Sequence, residues 1–132
     1  MITGKNYIGA DLSSDSTVSF KTFNPLLNIE NKTTFFEASD SEIQKATKLA
    51  HDAFRVFKLV SAKQRSEFLI QISEELKSIS DDIINIYCSE TGLPEGRCKG
   101  ELGRTINQLL SFANLLKAVS YTHLTLPTKV SV

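Results

Sequence analysis

The chain has 132 residues, and its 15 lysines and arginines balance its 15 aspartates and glutamates, so the formal net charge is zero. This length suffices for one hydrophobic core but not for two domains, and the balanced charge excludes the positive field that attracts nucleic acids or anionic membranes. Two cysteines make no disulfide framework, and no stretch is apolar enough for a signal peptide or a membrane span. We therefore expect a cytoplasmic protein with no nucleic-acid or membrane partner.

Residues 1–38 predict short strands and turns. Residues 17–23 alternate, with Val18 and Phe20 on one side and polar residues on the other. Asn24-Pro25 is a turn signal, and residues 32–38 can supply a second strand. The sequence thus predicts a β-hairpin entry.

From residue 39 the hydrophobic period becomes helical, and polar residues mark where helices begin. Ser39 with Glu42 and Ser61 with Gln64 form capping-box patterns, and Ser80 is predicted to cap a third helix. The predicted apolar faces comprise Ile43, Ala46, Ala50, Ala53, Phe54 and Phe57 in the first helix, Phe68, Leu69, Ile72, Leu76 and Ile79 in the second, Ile83, Ile84 and Tyr87 in the third, and Leu102, Ile106, Leu109, Leu110, Ala113 and Leu116 in the fourth.

The third helix is predicted to stop, and the fourth to start, within the run ETGLPEGR at 90–97. Gly92 can take the left-handed conformation that ends a helix, and Pro94 has the fixed φ that suits a first helical position. A Glu-Thr-Gly-x-Pro run between two amphipathic helices resembles the N-terminal region of NAD(P)-dependent aldehyde dehydrogenases. The longer pattern, which continues through KGE and GRT at 99–105, resembles the branch that acts on 2-oxoglutarate semialdehyde (2,5-dioxovalerate). The resemblance covers roughly residues 2–118.

The resemblance implies an α/β aldehyde dehydrogenase fold, of which this mainly α-helical chain would be an incomplete N-terminal segment. It also implies oxidation of the semialdehyde to 2-oxoglutarate with NAD or NADP by a homo-oligomeric enzyme. The family's nucleophilic cysteine lies in a Gly-Gln-x-Cys context that this sequence lacks. We therefore expect no catalytic residue, no cofactor binding and no dehydrogenase activity in the chain by itself. The alternative is a small non-enzymatic helical module that binds a partner protein through an apolar face.

Arg104 is the candidate substrate-binding residue. It lies about 200° around the fourth helix from Ile106, at 100° per residue, and so away from the apolar face. The resemblance places this helix beside the substrate tunnel, where a guanidinium could hold the carboxylate of a semialdehyde acid. The alternative is a solvent-facing arginine that pairs with Glu101 or Gln108.

Other reactive side chains favour structural roles. Cys88 has no histidine nearby in sequence, and a packed cysteine is the preferred interpretation; Cys98 lies between Arg97 and Lys99, which could activate it slightly. His51 has no second ligand at suitable spacing, so we expect no metal site. Gly96, Gly100 and Gly103 match no phosphate-binding motif, and we expect them to allow close helix contacts or to loosen the helix start.

The last segment departs from the family pattern. Residues 119–128 read VSYTHLTLPT, in which β-branched residues and a proline interrupt the helical period. A sequencing-library adapter, read through in this frame, can encode this peptide. We therefore expect residues 1–118 to be the aldehyde dehydrogenase segment and residues 119–132 to be a non-native tail; the alternative is a genuine strand-forming terminus.

Overall fold

A computed structural model describes residues 2–122, apart from the side chains of 119–122. These residues form two compact units. The first unit comprises residues 2–59 and 86–93, and the second comprises residues 60–85 and 94–122. The predicted order of a strand-rich entry followed by four helices is confirmed. The elements are β1 (Asn6–Ile8), β2 (Asp11–Ser13), β3 (Ser19–Asn24), β4 (Ile29–Phe36), α1 (Asp40–Phe57), α2 (Ala62–Ser78), α3 (Ser80–Thr91) and α4 (Glu95–Thr122). Within the described range, none of the helices is long and apolar enough to traverse a membrane.

The strands of the first unit form two antiparallel pairs, β1 with β2 and β3 with β4. The β3–β4 pairing is irregular between Lys21 and Phe23, where the register shifts. Asn24 closes the predicted turn, because its Oδ1 accepts the backbone N–H groups of Leu26 at 3.0 Å and Leu27 at 3.1 Å. The hairpin is therefore confirmed, with its second strand starting earlier than the sequence predicted.

The start of α1 combines the predicted capping box with a contact to the preceding loop. Ser39 Oγ accepts the N–H of Glu42 at 3.3 Å, and Glu42 Oε2 accepts the N–H of Ser39 at 2.7 Å. Glu42 also accepts the N–H of Asp15, and only 3% of it is exposed. Hydrogen bonds from the Ser13 side chain and then from the Ser39 backbone lower the pKa of Glu42 from 4.5 to about 2.

The predicted apolar face of α1 is not buried. Ile43 is 51% exposed, Phe54 61% and Phe57 44%, and Glu42 is the buried residue of this helix. An amphipathic helix gains most of its stability by covering its apolar face. The first unit therefore carries an uncovered apolar surface on α1.

In the second unit, α2 packs on α4 through small residues. Ser66 and Ser73 are fully buried, whereas Phe68 of the predicted α2 face is 53% exposed. Ser66 Oγ donates a buried hydrogen bond to the carbonyl oxygen of Ala113 in α4 at 2.8 Å. The predicted α2 face is thus wrong at its ends, where Phe68 and Ile79 are exposed, while Leu69, Ile72 and Leu76 are half-buried. The prediction also missed the two buried serines, whose small size lets the helices approach closely; the hydrogen bond from Ser66 offsets the cost of burying its hydroxyl.

The predicted cap of the third helix is wrong by one residue. Ser80 is the first residue of α3, and the carbonyl oxygen of Ile79 accepts the N–H of Ile83 at 3.1 Å. The N–H of Ile79 still donates to Glu75 at the end of α2. Because one residue separates the two helices, Ile79 ends one and starts the other, and Ser80 cannot occupy the capping position.

Candidate functional site

The run ETGLPEGR at 90–97, which resembles the family pattern and is called the family-like run below, contains the predicted end of α3. Gly92 has φ +70°, and its N–H donates to the carbonyl oxygen of Cys88 at 2.9 Å. A Cβ atom at Gly92 would lie 2.9 Å from Pro25 Cγ and 3.2 Å from Leu26 Cγ. Both the backbone conformation and the close approach of the β3–β4 turn therefore require glycine here.

The start of α4 lies directly after this helix stop in the sequence. The carbonyl oxygen of Pro94 accepts the N–H groups of Arg97 at 2.9 Å and Cys98 at 3.2 Å, so the helix begins at Glu95, one residue later than predicted. The predicted apolar face of α4 is confirmed at Ile106, which is 9% exposed, and at Ala113, which is fully buried. The helix phase is therefore fixed, and the opposite face points away from the packing with α2.

Arg104 lies on that opposite face and is bonded to a carboxylate. Its side chain is 72% exposed, and its Nε and Nη2 atoms donate to the same oxygen, Glu101 Oε2, at 3.0 and 2.7 Å. The other oxygen, Oε1, lies 2.7 Å from Arg97 Nη2. The pairing with Glu101 is the one that the second sequence interpretation expected, while the contact between Arg104 and a substrate stays a prediction.

The charges around Glu101 keep it ionised. The hydrogen bond from Arg104, followed by the charges of Arg104 and Arg97, holds the pKa of Glu101 below its ordinary value of 4.5. Two guanidinium groups face one carboxylate, so the cluster of Arg97, Glu101 and Arg104 carries one net positive charge. Such a cluster can accept a further anion.

The other residues that the sequence singled out lie apart from this cluster. Cys98 is buried in α4 with 3% exposed, Cys88 is half-buried in α3, and His51 is exposed on α1. In the part of the chain that the structure describes, no three His, Cys, Asp or Glu side chains are grouped as metal ligands. Added Cβ atoms at Gly96, Gly100 and Gly103 would meet nothing within 4 Å, so these glycines do not serve close helix contacts among the described residues.

The first unit also contains a cavity that the sequence did not indicate. Its volume is about 330 Å³. Glu90, the first residue of the family-like run, contributes to its wall, together with Ser89 and Ile86 of α3. The hairpin and the N-terminal residues supply the rest, namely Ile2, Thr22, Asn24, Leu27, Ile29, Glu30, Asn31, Lys32, Thr33 and Phe35. The lining residues come from the N-terminal segment, the hairpin and α3, which lie far apart in the sequence, so no local pattern indicates the cavity.

The sequence profile of the aldehyde dehydrogenase family matches residues 12–132. The chain belongs to the aldehyde dehydrogenase family. The alpha-ketoglutaric semialdehyde dehydrogenase 2 of Azospirillum brasilense is 32% identical over 117 residues, which are 88% of this chain and 22% of that protein. The 3-sulfolactaldehyde dehydrogenase of Pseudomonas putida is 29% identical over 84% of this chain and 23% of that protein. The chain thus spans less than a quarter of the length of these curated relatives.

A solved structure has the same fold. The NAD-dependent benzaldehyde dehydrogenase of Corynebacterium glutamicum superposes with a TM-score of 0.80 over 89% of this chain and 26% of that chain, at 19% identity. The predicted aldehyde dehydrogenase fold is therefore confirmed, and this chain corresponds to about a quarter of the superposed enzyme.

Proposed function

We propose that the chain is the N-terminal part of an NAD(P)+-dependent aldehyde dehydrogenase that oxidises 2-oxoglutarate semialdehyde to 2-oxoglutarate, and that Arg104 binds the substrate carboxylate. The observation that carries the proposal is the exposed guanidinium of Arg104 on the outer face of α4, within a cluster of one net positive charge. The names of the two relatives support the substrate class. The aldehyde in one name carries a carboxylate and the aldehyde in the other a sulfonate, and a planar guanidinium binds either group with paired hydrogen bonds.

We infer that the dinucleotide binds outside the residues that the structure describes. In support, their strands form two antiparallel pairs, whereas dinucleotides bind at the carboxyl ends of parallel strands beside a glycine-rich turn. The role proposed for this segment is therefore to bind and orient the substrate, while the cofactor and the nucleophile belong to the rest of the full-length enzyme. We expect the purified chain to form no NAD(P)H from the semialdehyde. Measurable turnover by the chain would refute this division of roles.

A chimaera tests the proposed substrate. Residues 12–118 replace the matching segment of the Azospirillum enzyme, and kcat/KM is measured for 2-oxoglutarate semialdehyde and for pentanal, an uncharged aldehyde with five carbon atoms. We expect the chimaera to prefer the semialdehyde and Arg104→Gln to raise KM for it about tenfold or more, because a hydrogen bond to a charged group contributes about that factor. Pentanal turnover should not change.

The matched control is Arg55→Gln, which removes an exposed arginine from the end of α1. This variant should leave both substrates unaffected. A folded chimaera that oxidises pentanal and the semialdehyde equally well, with or without Arg104, would contradict the proposed substrate and the proposed role of Arg104.

A further inference from the structure

Arg97, Glu101 and Arg104 follow one another at intervals of four and three residues, which places them on one face of α4. The side chain of Glu101 is 24% exposed, whereas those of Arg97 and Arg104 are 65% and 72% exposed. The carboxylate is thus the fixed member of the cluster, and each of its oxygens contacts one arginine. Arg97, on the preceding turn of α4, forms an ion pair with Oε1 of Glu101, and Arg104, on the following turn, forms an ion pair with Oε2.

The bonds to Glu101 leave one edge of the Arg104 guanidinium open. A guanidinium offers a carboxylate two edges with parallel donors, Nε with Nη2 and Nη1 with Nη2. Glu101 Oε2 accepts from both donors of the first edge. Among the contacts of the described residues, none occupies Nη1. The second edge therefore points away from Glu101 and can donate two parallel hydrogen bonds to another anion.

We infer that Glu101 is a positioning residue, which orients Arg104 so that its Nη1–Nη2 edge receives the anionic group of the substrate, with Arg97 holding Glu101 in place. This inference rests on the proposed function. A long exposed arginine side chain otherwise occupies many rotamers, and ordering it on binding weakens affinity. Glu101 orders Arg104 in advance, and because Arg97 balances the charge of Glu101, an incoming anion still meets one net positive charge.

The opposite role for Glu101 would be competition, in which its carboxylate occupies Arg104 and must be displaced by the substrate. The two roles predict opposite effects of Glu101→Gln, which keeps the shape of the side chain and removes its charge. A positioning residue raises the KM for the semialdehyde when it is removed, whereas a competitor lowers it. The direction of the change therefore decides between the two roles.

Nuclear magnetic resonance on the 132-residue chain tests the orientation itself. The Arg104 Nε–H group should give a sharp, slowly exchanging ¹H–¹⁵N signal, because Glu101 accepts from it. Glu101→Gln should broaden this signal. The control Glu95→Gln, which removes the ion-pair partner of Lys99 at the start of α4, should leave the signal sharp. An Arg104 signal that exchanges rapidly in the wild-type chain, or that persists unchanged in Glu101→Gln, would overturn the inference.

Kinetics of the chimaera separate this inference from the proposed function. We expect Glu101→Gln to raise KM for the semialdehyde about threefold to tenfold, with kcat and pentanal turnover unchanged, and Glu101→Asp to restore part of the affinity. If Arg104→Gln raises KM but Glu101→Gln lowers it or leaves it unchanged, the positioning role fails and the proposed function stands. If Arg104→Gln has no effect either, both fail.

Discussion

The buried hydroxyl of Ser66 offers the sharpest test of how α2 and α4 pack. Ser66 is fully buried, and its Oγ donates to the carbonyl oxygen of Ala113 at 2.8 Å. Ser66→Ala removes this bond, which is worth about 1 kcal/mol, and leaves a small void. The substitution also gains about 0.5 kcal/mol in helix propensity, so the raw change in stability understates the loss.

Ser78→Ala is the matched control. Ser78 lies in the same helix but is exposed, and its Oγ donates within the helix to Glu75 at 2.8 Å. Because Ser78 is the last residue of α2, the control gains less helix propensity than Ser66→Ala, and water replaces its hydrogen bond. We therefore expect Ser66→Ala to be less stable than Ser78→Ala by about 0.5–1 kcal/mol, which corresponds to about 0.3–0.5 M in the urea midpoint.

The assay is urea unfolding of the 132-residue chain, followed by far-ultraviolet circular dichroism. A third variant, Ser66→Leu, should cost about 1–3 kcal/mol, because it forces a large side chain into a filled site between the helices. Coincident unfolding midpoints for Ser66→Ala and Ser78→Ala would refute the close α2–α4 packing. A neutral Ser66→Leu would refute it as well.

Three further predictions concern the first unit and the α4 start. Gly92→Ala should destabilise the chain by about 1–2 kcal/mol, because φ at this position is +70° and the added Cβ would lie 2.9 Å from Pro25 Cγ. The control Gly100→Ala, whose Cβ would meet open space, should stabilise the chain by about 0.5–1 kcal/mol. Equal thermal unfolding midpoints for the two variants would contradict this prediction. The lowered pKa of Glu42 contributes stability that is fully present above pH 4.5 and is lost as the pH falls towards about 2. In Glu42→Gln, the urea unfolding midpoint should therefore depend less on pH across that interval than it does in the wild-type chain. An equal pH dependence in the two chains would contradict the lowered pKa of Glu42. The exposed apolar face of α1, where Phe54 is 61% exposed, should make the chain self-associate; sedimentation velocity should find smaller species for Phe54→Ser, and a monomeric wild-type chain would contradict the expectation.

Local signals predicted the helix boundaries best. The capping boxes at Ser39 and Ser61 are present as predicted, since each depends on residues only three positions apart. Gly92 stops α3 for the same reason, because a left-handed residue is needed there whatever packs around it. Ser80 failed because the cap of α3 depends on where α2 ends, which the local pattern does not contain.

Packing was predicted less well. Hydrophobic periodicity located the buried face of α4 but missed the fully buried residues of α2, Ser66 and Ser73, and wrongly included the exposed Phe68. Serine counts as polar in any periodicity, so burial beside a partner carbonyl cannot be read from one helix. The apolar face of α1 was identified correctly as apolar, but its exposure depends on what covers it in the folded protein.

The candidate site was predicted only in part. Helix phase placed Arg104 away from the core, and the structure agrees. The bonds that join Glu101 to Arg97 and to Arg104 follow from the spacing of these residues on a helix, although only the geometry reveals which edge of the Arg104 guanidinium stays open. The predicted tail at 119–132 lies largely outside the described residues, α4 continues through Thr122, and the non-native origin of the tail stays a prediction.

We propose that this chain is one segment of a longer aldehyde dehydrogenase. The most direct test is long-read sequencing of the locus that encodes it, across the codons for Lys117 to Val132. We expect the reading frame to continue from about Ala118 into a dinucleotide-binding segment and a downstream Gly-Gln-x-Cys. A locus that encodes residues 119–132 as written, followed by a stop codon, would contradict the claim and would favour a small helical module that binds a partner protein.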